Sequence, residues 1–128
     1  MKIKAIFDAA INIINKKSGD EEYDEYMERA TYILANFCCA NAAIDRDFRE
    51  THGLPSQESF NEIVLDMDDD FPFDSRFSAP AAHYLAAILM LDENGDVSEN
   101  IFDAYADNMS KVKNELPMKK GKIFNVYP

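Results

Sequence analysis

The 128-residue chain reads as an all-α protein: about four helices forming a small bundle, with one long second helix, a long acidic loop before helix three and an extended C-terminal tail. Three observations predict this. Apolar residues recur at steps of three and four through four segments, the period of an amphipathic helix. Gly and Pro fall between those segments, apart from one Pro in a first turn where a helix tolerates it. The composition, 47% hydrophobic and 29% charged, is that of a globular chain of one-domain length and lacks the low hydrophobicity of a disordered one.

Ile3, Ile6, Phe7, Ala10 and Ile14 share one face of a helix from about Lys2 to Asn15. Ser18 stands three residues before Glu21, a capping-box spacing that predicts the start of helix two there. Tyr23, Met27, Ala30, Leu34, Phe37, Asn41, Ile44 and Phe48 then continue one stripe over about 28 residues, which at 1.5 Å each is roughly 40 Å of helix. A bundle of this size does not need that length, so part of it is expected to project or to pack on a neighbouring subunit. Gly53 and Pro55 end it.

Between Ser56 and Ser78 the pattern is ambiguous. Phe60, Ile63, Val64, Leu65 and Met67 fit either a helical turn or a short extended segment, and the acidic DMDDDFPFD follows. Ser78 offers a hydroxyl cap and Pro80 a first-turn proline for helix three. Its AAHYLAAILML is apolar nearly all round, marking the centre of the core. Ile101, Phe102, Tyr105, Met109, Val112 and Leu116 give helix four, stopped by Pro117. Residues 1–116 are thus a helical domain and 117–128 an extended basic and apolar tail.

The net charge of -11 argues against a tightly held nucleic acid, since affinity for the phosphate backbone comes mainly from Lys and Arg. Residues 111–128 hold five Lys and one Glu, a net +4, so the other 110 residues carry -15. Cys38 and Cys39 are neighbours within a helical segment, where side chains diverge and do not bridge; a reducing cytosol suits them. Asp8 inside the N-terminal apolar segment argues against a signal peptide. The longest mostly apolar run, Ala79 to Leu91, is 13 residues, short of the roughly 20 of a membrane span. A cytoplasmic chain without membrane association is expected.

LDENGDVSENIFD, residues 91–103, imitates a calcium loop starting at Asp92. An EF-hand needs Gly at the sixth position and Glu at the twelfth, and Val97 and Asp103 stand there. A turn accounts for every residue instead: Gly95 ends helix three, Asp96 caps helix four and Glu99 is its reciprocal partner. Asp66, Asp68, Asp69, Asp70 and Asp74 could ligate a hard cation, yet nothing in their spacing fixes a geometry, and a solvated acidic loop is expected. His83 reads as a core or groove residue and His52 as part of a Gly-Pro turn, both without ligand spacing. Cys38 and Cys39 read as small core fillers with no basic cluster to activate them. No catalytic residue, cofactor or metal site is expected.

The tail combines Lys119, Lys120 and Lys122 with Ile123, Phe124, Val126 and Tyr127. An extended apolar end can add to a partner's sheet edge, and its charge complements the acidic body, so these seven residues are the candidate partner-binding set.

FDAAINIIN near the N-terminus, DFPFD at 70–74, SAPAAHYLAAILMLDENGD and IFDAYADNMSKV together resemble the head-tail connector (adaptor, or head-completion) proteins of tailed phages and prophages of Firmicutes. The likeness covers most of residues 1–116 and is most specific at DFPFD and the alanine-rich helix after it. It implies an all-α, non-enzymatic subunit that assembles on the portal as a homo-oligomeric ring after DNA packaging. Portal and tail-side proteins would be its partners, and DNA would pass without being tightly bound. Host cytoplasm during assembly, then the virion, would be its location. It also implies that the C-terminal segment, here Met118 to Pro128, reaches toward the neighbouring ring. A different reading of the charge is a small acidic helical binding protein, DNA-mimicking or regulatory, that sequesters a basic partner through Asp20, Glu21, Glu22, Asp24, Glu25 and Glu28 or through the 66–70 run.

Overall fold

The structure, a computed structural model, describes residues 1–56 and 64–115. Expectations placed on Phe60, Ile63, Leu116 and the tail fall outside the described residues. The described residues form α1 (Ile3–Ile13), α2 (Tyr23–Ala40), α3 (Ala42–His52), a 3-10 turn at Ser75–Phe77, α4 (Ser78–Met90) and α5 (Gly95–Asn114), joined by turns and irregular segments. No helix among the described residues is long and apolar enough to cross a membrane.

Among the described residues there are five α-helices where four helices are expected, because the long second helix is broken. Asn41 leaves helical geometry at φ -109° and ψ 16° between α2 and α3. Its backbone N–H and its Nδ2 both donate to the Phe37 carbonyl, at 3.0 and 2.9 Å. A short polar side chain that competes for a backbone acceptor in this way is a known breaker of helical continuity. The carbonyl of Asn41 then accepts from Asp45 N at 3.0 Å and opens α3. The apolar stripe survives the break because both helices face the same core, with Phe37 and Phe48 fully buried. α2 alone is about 27 Å long at 1.5 Å per residue, an ordinary length for this bundle.

Three expected helix starts also differ. α2 begins at Tyr23 and Ser18 does not cap it; Lys17 N donates to Asp20 Oδ2 at 2.7 Å instead, forming a turn ahead of the helix. Ser78 Oγ donates back to Ser75 O at 2.6 Å and caps nothing forward, while Asp74 accepts from Arg76 N to cap the 3-10 turn. Asn94, rather than Asp96, caps α5: its Oδ1 accepts from Val97 N at 3.2 Å. Gly95 is the first residue of α5 and does not take the left-handed conformation that closes a helix. Gly53 does, at φ 67°, where α3 ends.

The acidic segment is a packed part of the fold. Its backbone carbonyls close the open end of α1: Ile3 N donates to Asp69 O at 2.9 Å and Lys4 N to Met67 O at 3.0 Å. Phe71 N returns a bond to Met1 O at 2.7 Å, and Lys2 pairs with Asp70 as an isolated antiparallel bridge. Two of the four N–H groups that every helix start leaves without an internal partner are thereby satisfied. Side chains from the same stretch enter the core, with Leu65, Phe71 and Phe73 buried.

α4 is the centre, as its all-round apolarity requires. Leu85, Ala86 and Ala87 are fully buried, and the helix packs on α1, α2, α5 and the 3-10 turn. Ser98 Oγ donates to Ala87 O at 2.7 Å and fixes α5 against it from a buried position. Around the other end stands an aromatic cluster: Phe37 lies 5.8 Å from Phe73, Phe73 5.1 Å from Phe77, and Phe77 5.4 Å from Phe48. Such tilted and edge-on pairs each add about 0.5–1.5 kcal/mol beyond the area they bury.

Candidate functional site

Among the described residues, a well-organised polar group is built around DFPFD. Arg49 of α3 points Nε at both oxygens of Asp45, 3.1 Å from each, one helical turn back. Nη1 donates to Pro55 O at 3.0 Å and Nη2 to Pro72 O at 2.8 Å. One guanidinium therefore joins α3, the chain just after it and the middle of DFPFD, using the fixed fork that Lys lacks. Asp45 is almost fully buried; burial pushes its carboxyl pKa up, and the Arg49 charge and hydrogen bonds pull it back down. Asp74, at the end of DFPFD, adds a smaller repulsion. A buried ion pair bonded in this way positions backbone, tying α3 to the chain at Pro55 and Pro72. The sequence reading missed it, although a signal exists: Asp45 sits inside the apolar stripe, four residues before an Arg.

The candidate metal ligands do not converge. Among the described residues no group of three or more His, Cys, Asp or Glu is placed to hold a metal ion. Within the acidic run, Asp69 Oδ2 accepts from Asp66 N at 2.8 Å, and Asp70 pairs with Lys2 at 3.1 Å. Asn94 spends its side chain on the α5 cap, which removes a key ligand from the calcium-loop reading.

His52 belongs to the last turn of α3 and not to the loop after it. Its ring stacks on Phe48 at 4.1 Å, Nδ1 lies 2.9 Å from Phe48 O, and Nε2 lies 3.3 Å from Arg76 Nη1. The tautomer that donates from Nδ1 and accepts at Nε2 satisfies both contacts. Arg76 also lies over the Phe48 ring at 5.4 Å and pairs through Nε with Glu115 at 3.1 Å. His83 is half-buried, with Nδ1 2.9 Å from Ala79 O and 3.2 Å from Asn108 Nδ2. Cys38 is fully buried, and burial above all pushes its thiol up to about 12, far from nucleophilic at neutral pH. Cys39 is half-buried, and neither cysteine is in a disulfide.

Two further surfaces stand out among the described residues. Tyr26 O–H donates to Glu93, joining the start of α2 to the α4–α5 turn. Burial first and that carboxylate second push the phenol well above its ordinary value, with Glu22 and Glu25 adding to the effect. The acids of the α2 start thus share one end of the bundle with Glu93 and its neighbours. On another side, an apolar groove of about 280 Å³ runs between α1 and α4, lined by Ala5, Ala9 and Ile13 on one wall and Ala79, Ala82 and His83 on the other. The seven tail residues, Lys119, Lys120, Lys122, Ile123, Phe124, Val126 and Tyr127, lie outside the described residues. Comparison with protein families, with curated proteins and with solved structures gives no match.

Proposed function

We propose that the chain is a non-enzymatic structural protein of a tailed phage or prophage, a head-tail connector that assembles as a ring between portal and tail. It would act in the bacterial host cytoplasm during assembly and then in the virion. The observation that carries this reading is the setting of DFPFD. The stretch most specific to the resemblance holds the N-terminus, α3 and the aromatic core together through Phe71, Phe73 and the Arg49 bond to Pro72. A motif spent on packing suits a subunit whose activity is assembly. The net charge of -11 suits a ring around DNA, because such a body lets a duplex pass without the phosphate contacts that hold it. Head-to-tail contacts between copies close into a ring when the rotation between them permits.

The test is to mix the purified chain with the portal protein encoded in the same phage or prophage and pass the mixture over a sizing column. Co-elution with the portal ring supports the reading, and separate elution of the two contradicts it. In this scheme the tail residues from Lys119 to Tyr127 contact the portal or the tail-side protein. Undiminished portal binding by a chain with Lys119, Lys120 and Lys122 changed to Glu and Phe124 to Asp would remove that role.

A second reading is favoured by the Tyr26–Glu93 contact, which gathers acids of α2 and of the α4–α5 turn at one end. The chain would then sequester a basic partner, as a DNA mimic or a regulator. Capture of a basic host protein that is lost when Glu22, Glu25 and Glu93 are changed to Lys would select this reading.

A further inference from the structure

We infer that the groove between α1 and α4 is the docking site of the chain's own C-terminal segment, with Phe124 and Val126 seated between the alanines of the two helices. The inference concerns the isolated chain and stands whether or not the connector reading holds.

Three observations carry it. The first is where the chain leaves the body. α5 ends at Asn114, and the next residue, Glu115, is paired with Arg76 at 3.1 Å. Arg76 lies two residues before Ser78, which itself lines the groove. Glu115, the last described residue, is therefore held near Ser78 at one mouth of the groove. The second is length. From Leu116 to Ile123 the chain can extend roughly 26 Å at about 3.3 Å per residue, while the α1 wall from Ala5 to Ile13 spans about 12 Å at 1.5 Å per residue. Short tethers raise effective concentration to the millimolar range, so a modest apolar contact suffices to hold the chain's own tail in preference to a free competitor.

The third is complementarity. The groove lining is almost wholly apolar, with alanines at Ala5, Ala9, Ala79 and Ala82 leaving room that larger side chains would fill. Alternate residues of an extended segment point the same way, which puts Phe124 and Val126 on one side and Ile123 and Tyr127 on the other. Two lysines at the start of α1 are paired with carboxylates, Lys2 with Asp70 and Lys4 with Asp8. The segment from 111 onward carries +4 against a body of -15. Docking in this way would shield Phe124 and Val126 until a partner displaces them.

The test uses the full-length chain labelled at alanine methyls and aromatic rings for NMR. Expected are nuclear Overhauser contacts from the Phe124 ring to the Ala5, Ala9 or Ala82 methyls. They should persist on dilution and be absent between labelled and unlabelled copies in a mixed sample. Ala9→Glu should abolish them while the core methyls of Ala30, Ala86 and Ala87 keep their positions. Phe124→Asp, a change outside the helical body, should shift the groove methyls alone and serves if Ala9→Glu fails to fold. Absence of the contacts in the wild-type chain overturns the inference, as does their appearance only between copies, or groove methyls unmoved by Phe124→Asp. None of these results bears on whether the chain binds a portal.

Discussion

Arg49 Nη2 lies 2.8 Å from the carbonyl oxygen of Pro72, and the same guanidinium neutralises the buried carboxylate of Asp45. Helix α3 and the DFPFD segment are therefore held by one side chain. Replacing Arg49 with Met keeps most of the stem but leaves Asp45 charged, buried and alone. Removing one partner of a buried pair costs about 3–5 kcal/mol. Urea denaturation should register that loss. The double change Asp45→Leu with Arg49→Met should recover a good part of it, since the orphaned charge, and not the absence of the pair, dominates the single variant.

Phe73 joins Phe37, Phe71 and Phe77 in the aromatic cluster and is buried. Phe73→Ala should cost about 3–5 kcal/mol, the range for emptying a packed aromatic site. An equal change at Tyr32, which is 79% exposed, should fall within about 0.5 kcal/mol of wild type. Thermal melts of the two variants side by side would check the contrast.

Asn41 is the case where helix propensity points the wrong way. Ala is the better helix former, yet Asn41 is buried, bonds the Phe37 carbonyl and shares a hydrogen bond with Tyr105. Asn41→Ala should destabilise by about 1–3 kcal/mol because Tyr105 loses its partner inside the protein. A gain in stability, measured by denaturant titration, would mean that the break is incidental.

The Cys38 thiol carries a sign that can be tested with pH. An acid whose pKa is higher in the folded state than in the unfolded one holds its proton more tightly when folded. Its contribution is complete below the unfolded value and is lost as pH rises toward the folded one. Here the window runs from 9.0 to about 12. Within it the chain should lose about 1.4 kcal/mol of stability per pH unit from this group. Tyr26, also raised by burial and Glu93, steepens the loss at the upper end. Cys38→Ala should flatten the slope between pH 9 and pH 10, whatever it does to the absolute stability.

Helical periodicity made the all-α class, α1, α4 and most of α5 legible, because a buried stripe must repeat along a helix whatever it packs against. The break at Asn41 was illegible for the same reason. Both halves face one core, and a single residue out of helical geometry leaves the spacing of Leu34, Phe37, Ile44 and Phe48 intact. Caps were misplaced where two polar residues competed for one helix start: Asn94 won over Asp96 because its Oδ1 reaches Val97 N. The acidic run looked solvated by composition, and its carboxylates are mostly so. Its backbone, which composition does not describe, closes the start of α1. The Arg49 contacts to Pro55 and Pro72 depend on chain segments meeting in space, and only the Asp45 pairing left a trace in the spacing.

The connector reading makes one claim above the others, that copies of this chain form a closed ring on a portal. Native mass spectrometry of the chain mixed with its portal protein tests that claim most directly. A single complex is expected in which the copies of this chain stand in fixed ratio to the portal subunits, with the entire portal population shifted to it at saturation. A spectrum holding only free portal and free chain, at concentrations where the chain is folded, would contradict it.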